Sequence, residues 1–600
     1  MVNAATSSEE LLEVEPARAN ILRSLSIDPA SIVLEIGAGA GAVSRYLGET
    51  AALVDTIEAR GDLAAIAADR LSDLDSVRVF GGMIADVPAE PVYDLIVAID
   101  QLRVERQVAH AWLTDVRSRL APGGVLVLAE SNRLGTKYFM GAPDDASREV
   151  FDSIEGYPRG NQNQALTRSQ MVELLDGAGF VSHVLAALPD HRSTRVVLDP
   201  SRLGDEFLSL ASDLAITPAP DYFASRPKLA DESKVWQQVV AAGLTGELAN
   251  SFLILATAEG GGTLWEPDRL ASFHSWQRSA NYTSQTEVRL DARGAVVSRH
   301  YPQADPSASP CVEDSSYRYV PGRTLAKAME TASDEQIASW LARWRDVISE
   351  FADRGQFWVD LHPGNMILGD SGQLTPIDLE FEMPGRDMDF TIRRGLLVLA
   401  RTLAADVHPS HWSSEISTVG DIALKLGELM GYGADRRWLD STLDDEARFQ
   451  QTVAGTRAAG KTREEWRNEL ELIVNTPRDD LPLGMRVHEA VERSAAERDA
   501  AREQLGEFDK RVRDREDYLQ LESSRQATAL SNHIASLESR VHEQSEAIYR
   551  AHLADLDLRS SRAFRLASGL QAIAGAALPF GSRQRMAASR FLARVRAIFR

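Results

Sequence analysis

Short apolar runs alternate with helix-like segments along the first 200 residues. The runs have the length of buried strands and end at glycine turns or at carboxylates. They cover residues 32–36, 52–58, 77–81, 93–100 and 125–130. Helical periodicity lies between them, for example over residues 107–120. This alternation predicts an α/β fold with a doubly wound parallel sheet, whose ligands lie over the carboxyl ends of the strands.

The pattern changes after residue 200. Residues 205–256 are mostly helical in period, but 249–256 form an apolar run that we expect to be a strand closing the first domain. Three glycines at 260–262 indicate a linker. Two later runs, 286–290 and 295–299, predict a β-hairpin. The chain is therefore divided into a first domain at 1–200, a helical extension at 201–259 and a second, α+β domain at 260–480.

The last part of the chain predicts a long helix with an apolar seam. Apolar residues recur at steps of three and four, with some gaps, from Val487 and Val491 through Leu505 and onward past Leu530. A single helix cannot bury such a seam alone, so residues 485–557 predict a coiled coil and self-association. The pattern leaves dimer and trimer open.

Charge is distributed unevenly along the 600 residues. The net charge is -23 in total, yet residues 558–600 contain nine arginines and no Asp, Glu or Lys, so the rest of the chain carries -32. Such an acidic body argues against nucleic acid as a partner. Phe591, Leu592 and Val595 share a helical face in the basic tail, which predicts an amphipathic helix on an anionic membrane surface. A helix that docks on a partner protein or on the core is the alternative.

Composition bounds the location of the protein. A single cysteine, Cys311, excludes an internal disulfide framework and indicates a reducing compartment. Residues 1–20 are acidic and lack the long apolar run of a signal peptide, and no segment has about 18 strongly apolar residues. We expect a cytoplasmic protein that is peripheral on the inner face of the cell membrane.

The strongest candidate site is the turn that follows the first apolar run. Glu35 precedes three glycines at alternate positions, Gly37, Gly39 and Gly41. A strand that ends at glycines and restarts as a helix exposes backbone N–H groups to a ligand. This (D/E)-x-G-x-G-x-G pattern resembles motif I of class I S-adenosylmethionine-dependent methyltransferases, and it lacks the G-x-G-x-x-G spacing of dinucleotide enzymes. The resemblance implies that Glu35 and the glycines hold S-adenosylmethionine.

Other positions complete this predicted cofactor site. Glu58 ends the second apolar run about 20 residues after the glycines, where a carboxylate can accept both hydroxyls of a ribose. Methyltransferases often place an Asp after the third strand, against the adenine amine. Met83 and Ile84 stand there in this chain, so we expect packing on the adenine face.

The acceptor side is predicted to follow the fifth strand. Residues 130–143 resemble the N-(R/K)-L-G-x-K-Y-F-x-G-A-P segment of methyltransferase domains encoded with bacterial surface-polysaccharide enzymes. The candidates are Asn132, Arg133, Lys137 and Tyr138, whose two cations would suit a phosphate or an acidic glycan. A structural loop with solvated charges is the alternative. A hydroxyl acceptor would need a base, for which Asp100 and Glu130 are candidates, whereas a phosphate would need none.

A second motif lies in the middle of the chain. Asp360-Leu-His-Pro-Gly-Asn365 followed by Asp378 resembles the catalytic and metal loops of protein-kinase-like small-molecule kinases. By that resemblance Asp360 accepts the hydroxyl proton of the substrate, and Asn365 and Asp378 hold Mg²⁺ beside ATP. The resemblance implies a phosphate-clamping lysine on the second strand of the hairpin, where Arg299 is the nearest cation. Between Arg299 and Tyr317 there is hardly room for the helix that normally carries the glutamate partner of that lysine. An active kinase and an inactive kinase-like module both remain open.

The order of these parts resembles the bifunctional kinase/methyltransferases that terminate O-antigen chains. That resemblance implies phosphorylation and then methylation of a lipid-linked glycan, with the coiled coil positioning the active sites from the membrane. A sugar O-methyltransferase with an inactive kinase-like module is the second hypothesis. The third is a membrane-tethered scaffold that recruits a glycosyltransferase. The sequence leaves the acceptor and the polysaccharide pathway undetermined.

Overall fold

We describe the protein from a computed structural model. The described residues are 14–102, 105–160, 163–208, 210–211, 217–222, 228–258, 263–275, 278–383, 385, 388–405, 416–454, 461–478, 483–513, 528, 530–546 and 548–549. The predicted linker at 260–262 and the basic tail at 558–600 lie outside them. No helix within these ranges has both the length and the apolar character needed to cross a bilayer.

The strands of the first part of the chain form the predicted doubly wound sheet. They are β1 Ile32–Ile36, β2 Leu53–Glu58, β3 Val77–Gly81, β4 Tyr93–Ile99, β5 Leu120–Ser131, β6 Val181–Leu188, β7 Val196–Leu198 and β8 Ser251–Thr257. β1 pairs in parallel with both β2 and β4, β2 pairs in parallel with β3, and β4 does so with β5. β8 lies antiparallel between β5 and β6. The late apolar run is therefore a strand, as the sequence predicted, but it lies inside the sheet and does not close it.

Helices cover both faces of this sheet. The helices of this part are α1 Asn20–Arg23, α2 Ala42–Thr50, α3 Gly61–Arg70, α4 Arg106–Arg117, α5 Thr136–Phe139, α6 Arg168–Gly177, α7 Glu232–Ala241 and α8 Thr245–Leu248. Successive strand residues point to opposite faces, so Val33 joins one buried cluster and Leu34 the other. Burial on both faces explains why these strands read as unbroken apolar runs.

The sheet does not end at the predicted domain boundary. It continues through β9 Arg269–His274, β10 Gln285–Asp291, β11 Gly294–His300 and β12 Ser315–Arg318. β7 pairs antiparallel with β9, so the described residues form one sheet of 12 strands in the order β12-β11-β10-β9-β7-β6-β8-β5-β4-β1-β2-β3. The pairing covers the edge that β7 would otherwise expose. The predicted hairpin is present as β10 and β11.

The rest of the middle region is a helical lobe with a small sheet. Its strands are β13 Arg323–Thr324, β14 Met366–Leu368 and β15 Leu374–Pro376, and its helices are α9 Leu325–Met329, α10 Asp334–Ala352, α11 Met388–Ala405, α12 Val419–Leu429, α13 Arg436–Val453 and α14 Arg463–Val474. Trp344, Leu396, Ile422 and Leu443 centre its own buried core. The lobe is followed by a long helix, α15 Leu483–Arg513, where Val491 is 58% exposed, and residues 530–546 are helical as well.

Candidate functional site

The glycine turn lies where the order of the parallel strands reverses. β1 is followed in sequence by β2 on one side, while β4 lies on its other side, which opens a crevice at the carboxyl ends of these strands. Gly37, Gly39 and Gly41 have φ angles of +83°, +53° and +78°, a region that glycine enters without steric cost. Gly41 is the N-cap of α2, so the turn presents the amino end of that helix to the crevice.

Two carboxylates border this turn. Glu35 in β1 is buried, and its Oε2 accepts a 2.7 Å hydrogen bond from Thr56 Oγ1 in β2. Burial raises the pKa of Glu35 above its ordinary value. Glu58 at the end of β2 accepts the Gly39 N–H through Oε2 and the Arg60 N–H through Oε1, both at 2.8 Å. The structure therefore brings Glu35, Glu58 and the glycine turn together, and their predicted role in holding a cofactor stays a prediction.

The segment after β3 differs from the expectation. Ile84 belongs to the buried core, whereas Met83 is 62% exposed. The Met83 N–H donates to Oδ2 of Asp86 over 2.8 Å. Asp86 thus folds back toward Met83, near the place where the sequence analysis found no acid. In the sequence, this hydrogen bond is indicated only by the position of Asp86 three residues after Met83.

Asp100 lies at the end of β4 and has a left-handed φ of +59°. Its Oδ2 is 3.1 Å from Arg192 Nη2 and 3.0 Å from His191 Nε2. His191 Nδ1 lies 2.8 Å from Ser251 Oγ, and burial lowers the pKa of His191, which keeps the ring neutral. Sequence analysis missed His191 and Arg192, because they follow β6 and no local motif marks them.

Glu130, the other candidate base, has a different role. Its Oε1 accepts the N–H groups of Gln101 at 2.7 Å and Leu102 at 2.8 Å. The side chain therefore fixes the loop after β4. Asp100 is the more accessible of the two candidates, with a side chain that is 23% exposed against a Glu130 that is 2% exposed overall.

The predicted acceptor residues are less open than their polarity suggested. Lys137 is buried, and its Nζ lies 3.3 Å from Asp145 Oδ2 and 3.7 Å from Asp190 Oδ2. Tyr138 is also buried and donates its hydroxyl to Asp145 over 3.2 Å. Both side chains contact interior aspartates and are shielded from solvent. The alternative of a loop with solvated charges is therefore wrong for these two residues.

Asn132 and Arg133 also make contacts within the protein. The Asn132 amide donates to the carbonyls of Glu247 at 2.7 Å and Ala249 at 2.8 Å, which uses both of its N–H groups. Arg133 is partly exposed, and its Nε donates to the Ser153 carbonyl over 3.0 Å. Of the four predicted acceptor residues, Arg133 alone is not buried.

The second candidate site is formed by two loops of the helical lobe. Asn365 Nδ2 donates to the carbonyls of Asp360 at 3.0 Å and Asp378 at 3.4 Å, so one amide joins the two loops. Asp378 has a left-handed φ of +56°. Asp360 is buried, and burial together with the negative charges of Glu380 and Asp378 raises its pKa to about 7. The three residues predicted from the motif therefore lie side by side.

Arg299 of β11 reaches this site and forms an ion pair with Asp378. Its side chain is only 8% exposed, whereas that of Asp378 is 45% exposed. Residues 301–314 contain no helix, as the short spacing predicted. Glu380 accepts hydrogen bonds from Arg278 and from the Tyr301 hydroxyl, the latter at 2.6 Å. Sequence analysis missed the roles of Glu380 and Arg278.

The donor set suits Mg²⁺ only in part. Across the described ranges, no three His, Cys, Asp or Glu side chains converge as a metal site would require. Mg²⁺ usually takes one or two protein carboxylates together with phosphate and water oxygens. The half-exposed carboxylate of Asp378 meets that minimal requirement, with Asn365 beside it.

Comparison with known proteins gives weak likenesses. No family model and no curated protein matches the chain. One similar structure is Haemonchus contortus phosphoethanolamine N-methyltransferase 1 with phosphoethanolamine and S-adenosylhomocysteine, at 15% identity over 44% of this chain and 48% of that chain, with a TM-score of 0.27. Another is geranyl diphosphate C-methyltransferase from Streptomyces coelicolor with Mg²⁺, geranyl diphosphate and S-adenosylhomocysteine, at 16% identity, 41% and 78% coverage and a TM-score of 0.25.

A third similar structure is a SAM-dependent methyltransferase from Aquifex aeolicus, at 14% identity, 30% and 88% coverage and a TM-score of 0.23. The chain spans about half the length of the first of these three proteins. Likenesses this weak do not indicate a function, which is inferred below from the geometry of the site.

Proposed function

We propose that the protein is an S-adenosylmethionine-dependent methyltransferase. The observation that carries this proposal is the glycine turn at the strand-order reversal, bordered by Glu58 at the end of β2 and by the buried Glu35 in β1. The amino end of α2 lies at the crevice there, and Glu58 offers a carboxylate that can accept the ribose hydroxyls. The motif I pattern of residues 35–41 supports this choice of cofactor.

The residues of the chain have separable roles in this proposal. Bound S-adenosylmethionine supplies an electrophilic methyl group on a sulfonium. The glycine turn and Glu58 would hold the nucleoside, and Met83 and Asp86 would border its adenine. Asp100, at the end of β4, would take a proton from a hydroxyl acceptor. Alignment of the acceptor with the methyl group provides the larger part of the rate increase.

We propose a bacterial surface polysaccharide, or its lipid-linked precursor, as the acceptor. The resemblance of residues 130–143 to polysaccharide-associated methyltransferase domains supports it. The predicted coiled coil would give a homo-oligomer, and the predicted tail would hold it on the inner face of an anionic membrane, beside a glycosyltransferase. These parts of the proposal rest on sequence patterns.

A kinase-like role is the second candidate function. The contacts among Asp360, Asn365 and Asp378, with Arg299 delivered by β11, support it. Mg²⁺ held by Asp378 and Asn365 would neutralise charge on the ATP phosphates. Asp360 would accept the proton of a terminal sugar hydroxyl. The alternative, an inactive module, is supported by the missing helix before β12.

Calorimetry on the full chain separates the hypotheses. S-adenosylmethionine binding together with ATP–Mg²⁺ binding supports the two-activity enzyme. Binding of S-adenosylmethionine alone supports the methyltransferase with an inactive module, and binding of neither leaves the scaffold.

Labelled donors then test the coupling of the two activities. The purified protein is incubated with lipid-linked glycans, labelled ATP and labelled S-adenosylmethionine. Methyl incorporation that requires prior phosphate incorporation supports a phosphorylated acceptor. Methyl incorporation in the absence of ATP contradicts that order.

A further inference from the structure

The acceptor side of the proposed methyltransferase site is built around buried ion pairs. Lys137 contacts Asp145 and Asp190, and Arg192 contacts Asp100 and Asp145. Apart from Asp100 and Arg192, whose side chains are 23% and 13% exposed, these side chains are at most 4% exposed. Each cation therefore already has carboxylate partners inside the protein.

Further hydrogen bonds fix the carboxylates against these cations. Asp145 accepts the Ser131 hydroxyl at 2.8 Å, and Asp190 accepts the Tyr222 hydroxyl at 2.7 Å. Burial alone would lower the pKa of Arg192, but Asp100, Asp145 and Asp190 outweigh it and raise that pKa well above its ordinary value. The ion pairs are thus strongly coupled and are not free charges waiting for a ligand.

The balance of charge in this cluster is negative. Among the described contacts of this cluster, the two cations Lys137 and Arg192 meet the three carboxylates of Asp100, Asp145 and Asp190. Burial lowers the pKa of the adjoining His191, which disfavours a third positive charge. The adjoining segment 143–160 adds to this balance, since it contains five acidic and two basic residues. This negative field would repel a phosphate, and the buried cations of the cluster are already neutralised by carboxylates.

We infer that the acceptor pocket takes a neutral hydroxyl group and excludes a phosphate. This inference rests on the proposed methyltransferase function and makes its acceptor class definite. Asp145, Asp190 and Asp100 determine the specificity, because they neutralise Lys137 and Arg192, the two cations of this cluster. The positive sulfonium of the methyl donor, in contrast, is favoured by the same field.

Inorganic phosphate is the probe for this inference. The full chain is saturated with S-adenosylhomocysteine, and phosphate is titrated by calorimetry at constant ionic strength. For the wild type we expect no phosphate heat and a change of less than about twofold in the S-adenosylhomocysteine Kd. Asp145→Asn removes one carboxylate partner from both Lys137 and Arg192, so that these two cations face only the charges of Asp190 and Asp100 within the cluster. This variant should create phosphate binding that tightens the S-adenosylhomocysteine Kd about tenfold.

Two more variants locate any phosphate that does bind. Phosphate binding by the wild type that Lys137→Met or Arg133→Ala removes would overturn the inference, because the anion would then lie on the acceptor side. Binding that survives both substitutions places the anion elsewhere and leaves the inference standing. The wild-type titration decides the matter even if Asp145→Asn does not fold. Absence of S-adenosylhomocysteine binding would instead overturn the proposed function, together with the inference that rests on it.

Discussion

Gly39 donates its backbone N–H to Oε2 of Glu58 across 2.8 Å. This bond joins the turn after β1 to the end of β2, two segments that lie about 20 residues apart. It orients the Glu58 carboxylate toward the crevice while the other oxygen holds Arg60 N–H. The geometry of the candidate cofactor site therefore depends on both the glycines and this acid.

Gly37→Ala should weaken S-adenosylmethionine binding and lower stability. Gly37 has a φ of +83°, where an L-residue costs about 1–2 kcal/mol, and its new Cβ would lie 2.6 Å from Gln101 Nε2. Calorimetry and thermal denaturation measure both effects. Gly61→Ala is the matched control, because nothing lies within 4 Å of its added Cβ. Equal behaviour of the two variants would contradict the role of the turn.

Glu58→Gln should reduce cofactor affinity while preserving the fold. The amide oxygen can still accept the Gly39 N–H, but hydrogen bonds from ribose to a charged acceptor are lost, which costs about 1.5–3 kcal/mol or about 10- to 150-fold in Kd. Titration with S-adenosylhomocysteine gives the affinity. Asp62→Asn, at an exposed acid paired with Arg60, should leave it unchanged. An unaltered Kd in Glu58→Gln would exclude ribose binding by this residue.

Stability should fall between about pH 4 and pH 7 because of Asp360. Its pKa is raised to about 7 in the folded protein, mainly by burial, against an ordinary value near 4 in the unfolded chain. The folded state therefore keeps a proton that the unfolded state releases in this window, so the free energy of unfolding decreases as pH rises and levels off above pH 7.

Asp360→Asn tests this pH dependence. Between pH 5 and pH 8 the free energy of unfolding should fall by about 2–3 kcal/mol more in the wild type than in the variant. Urea denaturation at each pH measures this difference. Asparagine keeps the acceptor for the Phe381 N–H and removes only the titration. Parallel pH curves for the two proteins would show that Asp360 does not titrate in this range.

Asp378→Asn should destabilise the protein by about 1–3 kcal/mol, because it removes the charged partner of the buried Arg299. Asparagine tolerates the left-handed φ of this position, so charge is the main change. Asp291→Asn is the control, since its acid is 44% exposed like Asp378 but its partner Arg318 is 46% exposed. Denaturation of Asp291→Asn should show a decrease of only about 0–1 kcal/mol in the free energy of unfolding. Equal losses would mean that burial of the arginine does not matter.

Charged substitutions on the seam of α15 should disrupt self-association. Val491 is 58% exposed, although it lies on the apolar seam predicted from the sequence. Val487→Asp combined with Val491→Asp should shift the mass measured by light scattering toward the monomer. Glu489→Lys lies off this seam and should leave the mass unchanged. A wild-type chain that is already monomeric would exclude the coiled coil.

Local sequence was sufficient to predict the elements of the candidate cofactor site. Unbroken apolar runs marked the buried strands, and the glycines after residue 36 marked a turn whose left-handed angles the structure contains. The hairpin of β10 and β11 and the two loops around Asp360 and Asp378 were predicted in the same way. Each of these features is determined by neighbours within a few residues of one another.

Long-range pairing was beyond local sequence. Nothing in residues 196–198 or 269–274 indicates that β7 and β9 pair and join two predicted domains into one sheet. The acceptor candidates show the same limit. Lys137 was recognised as a cation, but its burial against Asp145 and Asp190 comes from segments 8 and 53 residues away.

The sequence alone determined which residues can do chemistry in this protein, because strand length, turn formation and motif spacing depend on adjacent residues. The tertiary structure decided which of them are available, since burial and charge neutralisation depend on distant segments. Arg192, which no motif marked, meets Asp100 only when β4 and β6 are placed in the same sheet.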